Sequence, residues 1–342
     1  MVLEQVLPSN WFQKRSYYAF LLSIGYSLLG ILIARFIFAS NAGIVSVFFI
    51  SLFLLPTMKK MFLYEDSLEE KEKYFSFKHL IRNNASLIKT YLMIFLGVFL
   101  TYTFVSFVLP QLGIDTFNIF REQLHIDHHL RGQALAFSSD TFLSILMNNW
   151  WVLVACFVLG LITGDGAIFF ITWNASVWGT LFGYRALTAA IVANVNPWYF
   201  LAIVLGIVIW HVILEGGAYI LVGTAGGVIS REIIKVREDV RDFVIYFFIG
   251  IVLVFLINLL LYNLVPSILF RFIMSSLSFI FLLSFMEEIF ENKTHKMVFK
   301  YNFYLFILGI VIFIIGAIVE TYVLNNSPKL MEIYELSRLY TG

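Results

Sequence analysis

Long apolar runs alternate with short charged connections along most of this chain. A membrane-spanning helix needs about 20 mostly apolar residues, and nine runs reach or approach that length. They are Tyr17–Phe38, Ala42–Met58, Thr90–Pro110, Trp150–Trp173, Asn174–Asn196, Trp198–Val228, Phe243–Val265, Ser267–Met286 and Phe303–Leu324. The pattern predicts an all-α, polytopic integral membrane protein with about nine transmembrane helices.

Two of these runs depart from a simple span. The fifth carries Arg185 near its middle, and a charge inside a membrane is costly. The sixth is too long for one straight crossing, so Gly216-Gly217 is the predicted place for a break. Pro197 suits the start of that sixth helix, because the N–H that proline lacks would be unpaired there anyway.

Composition supports a membrane protein. Of the 342 residues, 60% are hydrophobic and 13% are charged, and the mean hydropathy is +0.87. Soluble domains carry about 25% charged residues, so we expect a multi-pass protein of the cell membrane in contact with the lipid bilayer. The net charge of +1 gives no reason to expect a nucleic acid partner. Cys156 is the single cysteine, so no intrachain disulfide forms.

Lysine and arginine in the connections predict the orientation. Cytoplasmic loops are enriched in these residues, and the basic connections are 59–89, 229–242 and 287–301. The long connection 111–148 contains only two basic residues of this kind, Arg121 and Arg131. Nine spans with a cytoplasmic N-terminus place all three basic connections inside and the tail from Asn325 outside. In the long outer connection, the amphipathic segment Leu124–Leu146 predicts an interfacial helix.

The same pattern divides the chain into four parts: a three-span unit at 1–110, the outer connection at 111–147, a glycine-rich membrane core at 148–230, and a second three-span unit with the tail at 231–342. The stretch Phe53–Phe62 resembles Phe281–Phe290 at an offset of 228 residues. A three-span repeat at each end is therefore one interpretation, and two ordinary helix hairpins are the other.

Four ionisable residues fall within the central apolar region: Asp165, Arg185, His211 and Glu215. Such residues in a membrane usually face one another or a wet cavity. We expect them to form an intramembrane polar cluster in which Arg185 neutralises one of the two acids, with Glu215 preferred. The alternative places Arg185 in a solvated cytoplasmic turn between two short re-entrant segments.

Glycines spaced four apart also mark this region. Small residues at that spacing let helix backbones approach closely in a membrane. The glycines predicted to pack helices are Gly160, Gly164, Gly179, Gly183, Gly216, Gly217, Gly223 and Gly227.

The candidate chemistry is sparse. His211 and Glu215 share one helix face at i and i+4, which fits a metal ligand pair, a proton relay or a structural hydrogen bond. A metal site needs further ligands that no neighbouring motif supplies. His125-Ile-Asp-His-His129 has ligand residue types but no recognised zinc spacing. We therefore predict no metal, no cofactor and no catalytic residue, and the chain is not expected to be an enzyme.

The stretch Phe142–Glu232 nevertheless resembles the stage II sporulation protein M family of integral membrane proteins. The matching features are Asn148-Asn149, Gly160-x-x-x-Gly164, Asn174, Gly179-x-x-x-Gly183, His211-x-x-x-Glu215-Gly, Ala218 and Gly223-Thr-Ala-Gly-Gly227. This chain departs from the compact bacterial form of the family by its additional terminal spans.

The resemblance implies a scaffold that holds extracytoplasmic protein partners at a membrane. We consider three functions. The first is a non-enzymatic scaffold or assembly protein that recruits partners or remodels the membrane. The second is a secondary transporter with a polar site at the membrane midplane, and the third is an intramembrane enzyme using His211 and Glu215. Membrane or extracytoplasmic proteins are the expected partners, and self-association into a homo-oligomer is a further form of assembly.

Overall fold

The structure of the protein, a computed structural model, describes residues 16–69, 76–124, 139–235, 240–288 and 293–341. Within these ranges the chain is helical and contains no strand. The helices are α1 Tyr17–Ile37, α2 Ala42–Glu69, α3 Phe77–Val108, α4 Thr116–Ile119, α5 Ser139–Thr163, α6 Ala167–Ala193, α7 Pro197–Lys235, α8 Val240–Leu264, α9 Ile268–Glu287, α10 Lys293–Asn326 and α11 Pro328–Thr341. The all-α, polytopic membrane class predicted from the sequence is confirmed.

A long helix lies at each of the nine predicted positions. Eight of the described helices are long and apolar enough to cross a membrane. The exception is α6, the fifth predicted span, which is less apolar although its 27 residues reach about 40 Å. Its composition fits its position, because most of its side chains are buried against other helices. An enclosed helix of this kind does not need a lipid-facing apolar surface.

Helix boundaries differ from prediction where turn chemistry overrides hydropathy. The boundary expected at Trp173–Asn174 lies instead at Gly164–Gly166, where Gly164 adopts a positive φ of 83°. Glycine tolerates this conformation because it has no Cβ. The predicted break at Gly216-Gly217 is wrong, since α7 runs without interruption for 39 residues. Pro56 also lies inside α2, which continues to Glu69.

The basic connections meet at one end of the bundle, which we call the basic end. Arg231 donates to the backbone oxygen of Lys59 at 3.4 Å, and the backbone N–H of Ser76 donates to Tyr301 at 3.0 Å. His295 pairs with Glu232 at the same end. The connections that the sequence assigned to the cytoplasmic side therefore lie together.

The opposite end holds the remaining connections. The backbone N–H of Gly43, at the start of α2, donates to Glu122 at 3.0 Å. Trp198, at the start of α7, packs on Phe107 with ring centroids 4.8 Å apart. Helix α11 returns to this end of α6, where Thr188 and Ser337 hydrogen-bond at 2.8 Å.

Helices α5, α6 and α7 form the centre of the fold. Helix α3 packs along α6, and α10 packs along α7, so the third helix of each predicted terminal unit makes its most extensive contact with the centre. Helix α8 lies outermost, with Phe255 60% exposed and Leu260 59% exposed. The four-part division and the internal repeat remain predictions.

Candidate functional site

Glycines bring α5 and α7 into backbone contact. A Cβ added at Gly160 would lie 2.7 Å from the carbonyl oxygen of Gly223 and 3.1 Å from the amide nitrogen of Gly227. One added at Gly226 would meet the carbonyl oxygen of Phe157. The two helices run parallel, and their contacts are main-chain to main-chain, so a side chain at these positions would force them apart.

A second close contact joins α6 to α3. A Cβ at Gly179 would lie 3.1 Å from the amide nitrogen of Thr103 and would also meet the carbonyl oxygen of Phe99. One at Gly183 would meet Ser106 and the carbonyl oxygen of Thr103. The glycine pair of α6 therefore fits against the backbone of the N-terminal unit.

The other predicted glycines have different surroundings. A Cβ at Gly223 would meet Ala167 at 2.7 Å, and one at Gly216 would meet the Phe95 ring at 2.8 Å. Gly164 forms the turn before α6. At Gly217 a Cβ would meet nothing within 4 Å, so this glycine does not mediate a close helix contact.

Glu215 lies between three helices near the middle of α7. Its side chain is 1% exposed, and the amide nitrogen of Asn149 on α5 donates to its Oε2 at 3.1 Å. On the other side α10 approaches so closely that a Cβ at Gly316 would lie 2.9 Å from the Glu215 side chain. Gly316 therefore makes room for the glutamate.

One turn beyond Gly316, Glu320 brings its carboxyl group into hydrogen-bonding reach of the Glu215 carboxyl group. The partner of Glu215 is thus a second acid on α10 and not Arg185. Two ionised carboxylates in contact repel strongly, most of all where water is excluded. A hydrogen bond between them requires that one of the two oxygens carry a proton, so we interpret the pair as two carboxyl groups that share a proton.

Further polar groups line this carboxyl pair. His211 lies one turn from Glu215 with its ring edge-on to Phe182, and Tyr219 is fully buried one turn further along α7. Among the described residues, His211 Nδ1 and the Tyr219 hydroxyl are buried without a hydrogen-bond partner. Unsatisfied buried polar atoms are rare in proteins, so these two groups beside the carboxyl pair are the most distinctive chemical feature of the centre.

Arg185 occupies a different place from the one predicted. Its guanidinium lies 4.0 Å from the centre of the Tyr334 ring on α11. Because α6 begins at Ala167 and not at Asn174, Arg185 is 18 residues, or about 27 Å, along its helix from the basic end. It therefore lies towards the opposite end of the bundle, inside a continuous helix and covered by α11.

Asp165 also lies apart from Glu215, in the turn between α5 and α6 at the basic end. Burial raises the pKa of this carboxyl above its ordinary value of 3.8, while the nearby charges of Arg231 and Lys59 lower it in part. The two acids of the predicted cluster thus have separate partners: bases for Asp165 and another acid for Glu215.

Metal binding finds no support in the described part of the chain, where no group of three or more His, Cys, Asp and Glu side chains is arranged to hold a metal ion. His125–His129 lies outside the described residues, as does most of the amphipathic segment Leu124–Leu146. The helix predicted there remains a prediction.

The glycine contacts and the buried His211–Glu215 turn are the features on which the family resemblance was based. A family model described as Stage II sporulation protein M matches residues 115–262. The central region of the chain carries the signature of that family. The predicted resemblance is confirmed for this region, which is less than half of the chain. No curated protein and no solved structure matches the chain.

The Stage II sporulation protein M match contains Asn149, His211 and Glu215 but ends well before Glu320. The carboxyl pair therefore joins the matched region to the C-terminal unit outside it. Sequence reasoning missed Glu320 and Tyr219 as members of the site. A face of small residues on the last span, Gly309 and Gly316, was the available signal, because it leads along α10 directly to Glu320.

Proposed function

We propose that this protein is a non-enzymatic membrane scaffold, which holds partner proteins at the membrane through a rigid central platform. The observation that supports the proposal best is the closed centre. Gly160 places α5 against the backbone of α7, and Glu215, with 1% of its surface exposed, is held between α5, α7 and α10. Helices held backbone to backbone around a buried side chain suit a platform better than a path for a substrate.

The surface offered to a partner lies at the end opposite the basic end. There a cavity of about 440 Å³ opens between the segment 110–117, the end of α6 and α11. Its lining is mixed, with Gln111, Asp115 and Tyr184 beside apolar side chains, and Ile114 is 41% exposed. Under the predicted orientation this end faces outside, where the family resemblance implies extracytoplasmic partners.

Site-specific photo-crosslinking in the native cell tests the scaffold proposal. A photoreactive residue at Ile114 is expected to give a discrete protein adduct, because this position belongs to the proposed partner surface. The matched control is Leu260 of α8, which is also apolar and exposed but faces outward from the bundle, and it should give only lipid adducts. The same adduct pattern from both positions would count against the proposed surface.

A secondary transporter is the second candidate, because one observation favours it. A carboxyl pair that shares a proton between two helices is a group that proton-coupled transporters can use. In this case Glu215→Gln should abolish solute movement in proteoliposomes while the protein still inserts and assembles. Under the scaffold proposal the same variant keeps its partner adduct at Ile114, so the two functions predict different outcomes.

A further inference from the structure

A polar cavity lies between α5, α8 and α9, separate from the carboxyl pair. It measures about 380 Å³, and its polar and aromatic lining is Ser144, Asn148, Trp151, Asn258, Tyr262 and Arg271. These residues fall in the first half of α5, the last turns of α8 and the first turn of α9. The cavity is therefore near the end of the bundle opposite the basic end.

Arg271 is the charged group of this cavity. Its guanidinium lies 4.9 Å from the centre of the Tyr262 ring, and its Nε is buried without a hydrogen-bond partner among the described residues. Among the described residues, no carboxylate forms an ion pair with Arg271. A cation in the first turn of a helix also opposes the helix dipole. An anion in the cavity would relieve both the unpaired donor and the unfavourable position of the charge.

The neighbouring amides supply further donors. Asn258 donates one N–H to the carbonyl oxygen of Val254, and Asn148 donates one to Asn149. An amide nitrogen carries two hydrogens, so each of these side chains keeps a second N–H for a ligand. Two amides beside a planar guanidinium form a donor set suited to the oxygens of a phosphate group.

The cavity is closed towards the interior of the helix bundle and open on its outer side. On its inner side Trp150 donates to Ser275 at 3.0 Å and packs edge-on against Phe272, which ties α5 to α9. On its outer side Tyr262 is 70% exposed and Trp151 is 43% exposed. Tryptophan and tyrosine favour the headgroup region of a bilayer. A ligand therefore enters from the side, where phospholipids are present.

We propose that this cavity binds the phosphate group of an anionic membrane phospholipid, with Arg271 as the main contact and the two asparagine amides as additional donors. The bound lipid would fill the gap between the outlying helices α8 and α9 and the central helix α5. This site goes beyond the scaffold function and does not depend on it.

Lipid retention by the purified, delipidated protein tests the site. Native mass spectrometry would compare phosphatidylglycerol, phosphatidylcholine and soluble glycerol phosphate as probes. We expect phosphatidylglycerol to bind most tightly, and Arg271→Gln to weaken its binding about tenfold or more, because a charge-assisted hydrogen bond is lost. Arg35→Gln is the matched control, since Arg35 is exposed near the same end of the bundle and does not line the cavity.

Each outcome decides the proposal. Equal binding of phosphatidylglycerol by the parent protein and Arg271→Gln would overturn it, as would a loss of equal size in Arg35→Gln. Binding of glycerol phosphate as tight as that of the lipid would show a soluble phosphate ligand and overturn the lipid assignment. If Arg271→Gln does not elute as a folded protein, Asn148→Ala replaces it, and unchanged lipid binding in that variant would also contradict the proposal.

Discussion

Replacing Gly160 by alanine tests whether the contact between α5 and α7 holds the centre together. The added methyl group would lie 2.7 Å from the carbonyl oxygen of Gly223. That oxygen belongs to the backbone of α7 and cannot rotate away, so the two helices must separate by several tenths of an ångström. Overpacking of this kind costs about 1–3 kcal/mol.

The same substitution at Gly217 provides the control. A Cβ there meets nothing within 4 Å, so Gly217→Ala adds a methyl group without a clash. Both variants gain the helix propensity of alanine over glycine, about 1 kcal/mol. The difference between them therefore isolates the helix contact, and Gly160→Ala should be less stable than Gly217→Ala by about 1–3 kcal/mol.

Reversible unfolding in lipid bicelles, measured for both variants under one set of conditions, gives this difference. In detergent, Gly160→Ala should also lose its monodisperse elution profile at a lower temperature than Gly217→Ala. Equal stabilities would refute the reasoning, because they would mean that α5 and α7 do not depend on the absence of a side chain at Gly160.

Three further predictions concern the polar groups. Glu215→Ala should cost about 1–3 kcal/mol, because it leaves the partly buried Glu320 carboxyl group without its partner. Glu215→Gln keeps a hydrogen-bonding amide and should stay within about 0.5 kcal/mol of the parent protein in unfolding experiments. Asp165 has a raised pKa when folded, so the folded state binds more protons, and stability should fall as pH rises from about 3.8 towards the folded pKa. Thermal unfolding of Asp165→Asn should show a weaker pH dependence over this range. A pH profile identical to that of the parent protein would contradict the assignment of this pH dependence to Asp165. A double-mutant cycle of Trp150→Phe and Ser275→Ala should give a coupling energy of about 0.6 kcal/mol, the usual value for a hydrogen bond between membrane helices, and a coupling of zero would show that the bond adds no stability.

The positions of the helices follow from hydropathy because each apolar run must satisfy its backbone hydrogen bonds internally when it enters a membrane. Their ends follow less well, since these depend on local turns. The boundary between α5 and α6 illustrates the difference. Gly164-Asp165-Gly166 is a turn sequence inside an apolar stretch, and the polar residue Asn174 suggested a later break.

The partner of Glu215 depends on contacts that periodicity does not contain. Glu320 lies 105 residues further along the chain and reaches Glu215 only because α10 packs antiparallel along α7. Charge complementarity favoured Arg185, but the earlier start of α6 moves that residue towards the opposite end of the bundle. Long-range pairing of two like groups has no signature in a single sequence.

Infrared spectroscopy of the protein in lipid at neutral pH tests the carboxyl pair most directly. The parent protein should show the carbonyl band of a buried, protonated carboxyl group. Glu215→Gln should remove this band, because Glu320 is only partly buried and its carboxylate can accept from the new amide, whereas Asp165→Asn should leave the band in place. Absence of the band from the parent protein, or its persistence in Glu215→Gln, would contradict a proton shared between Glu215 and Glu320.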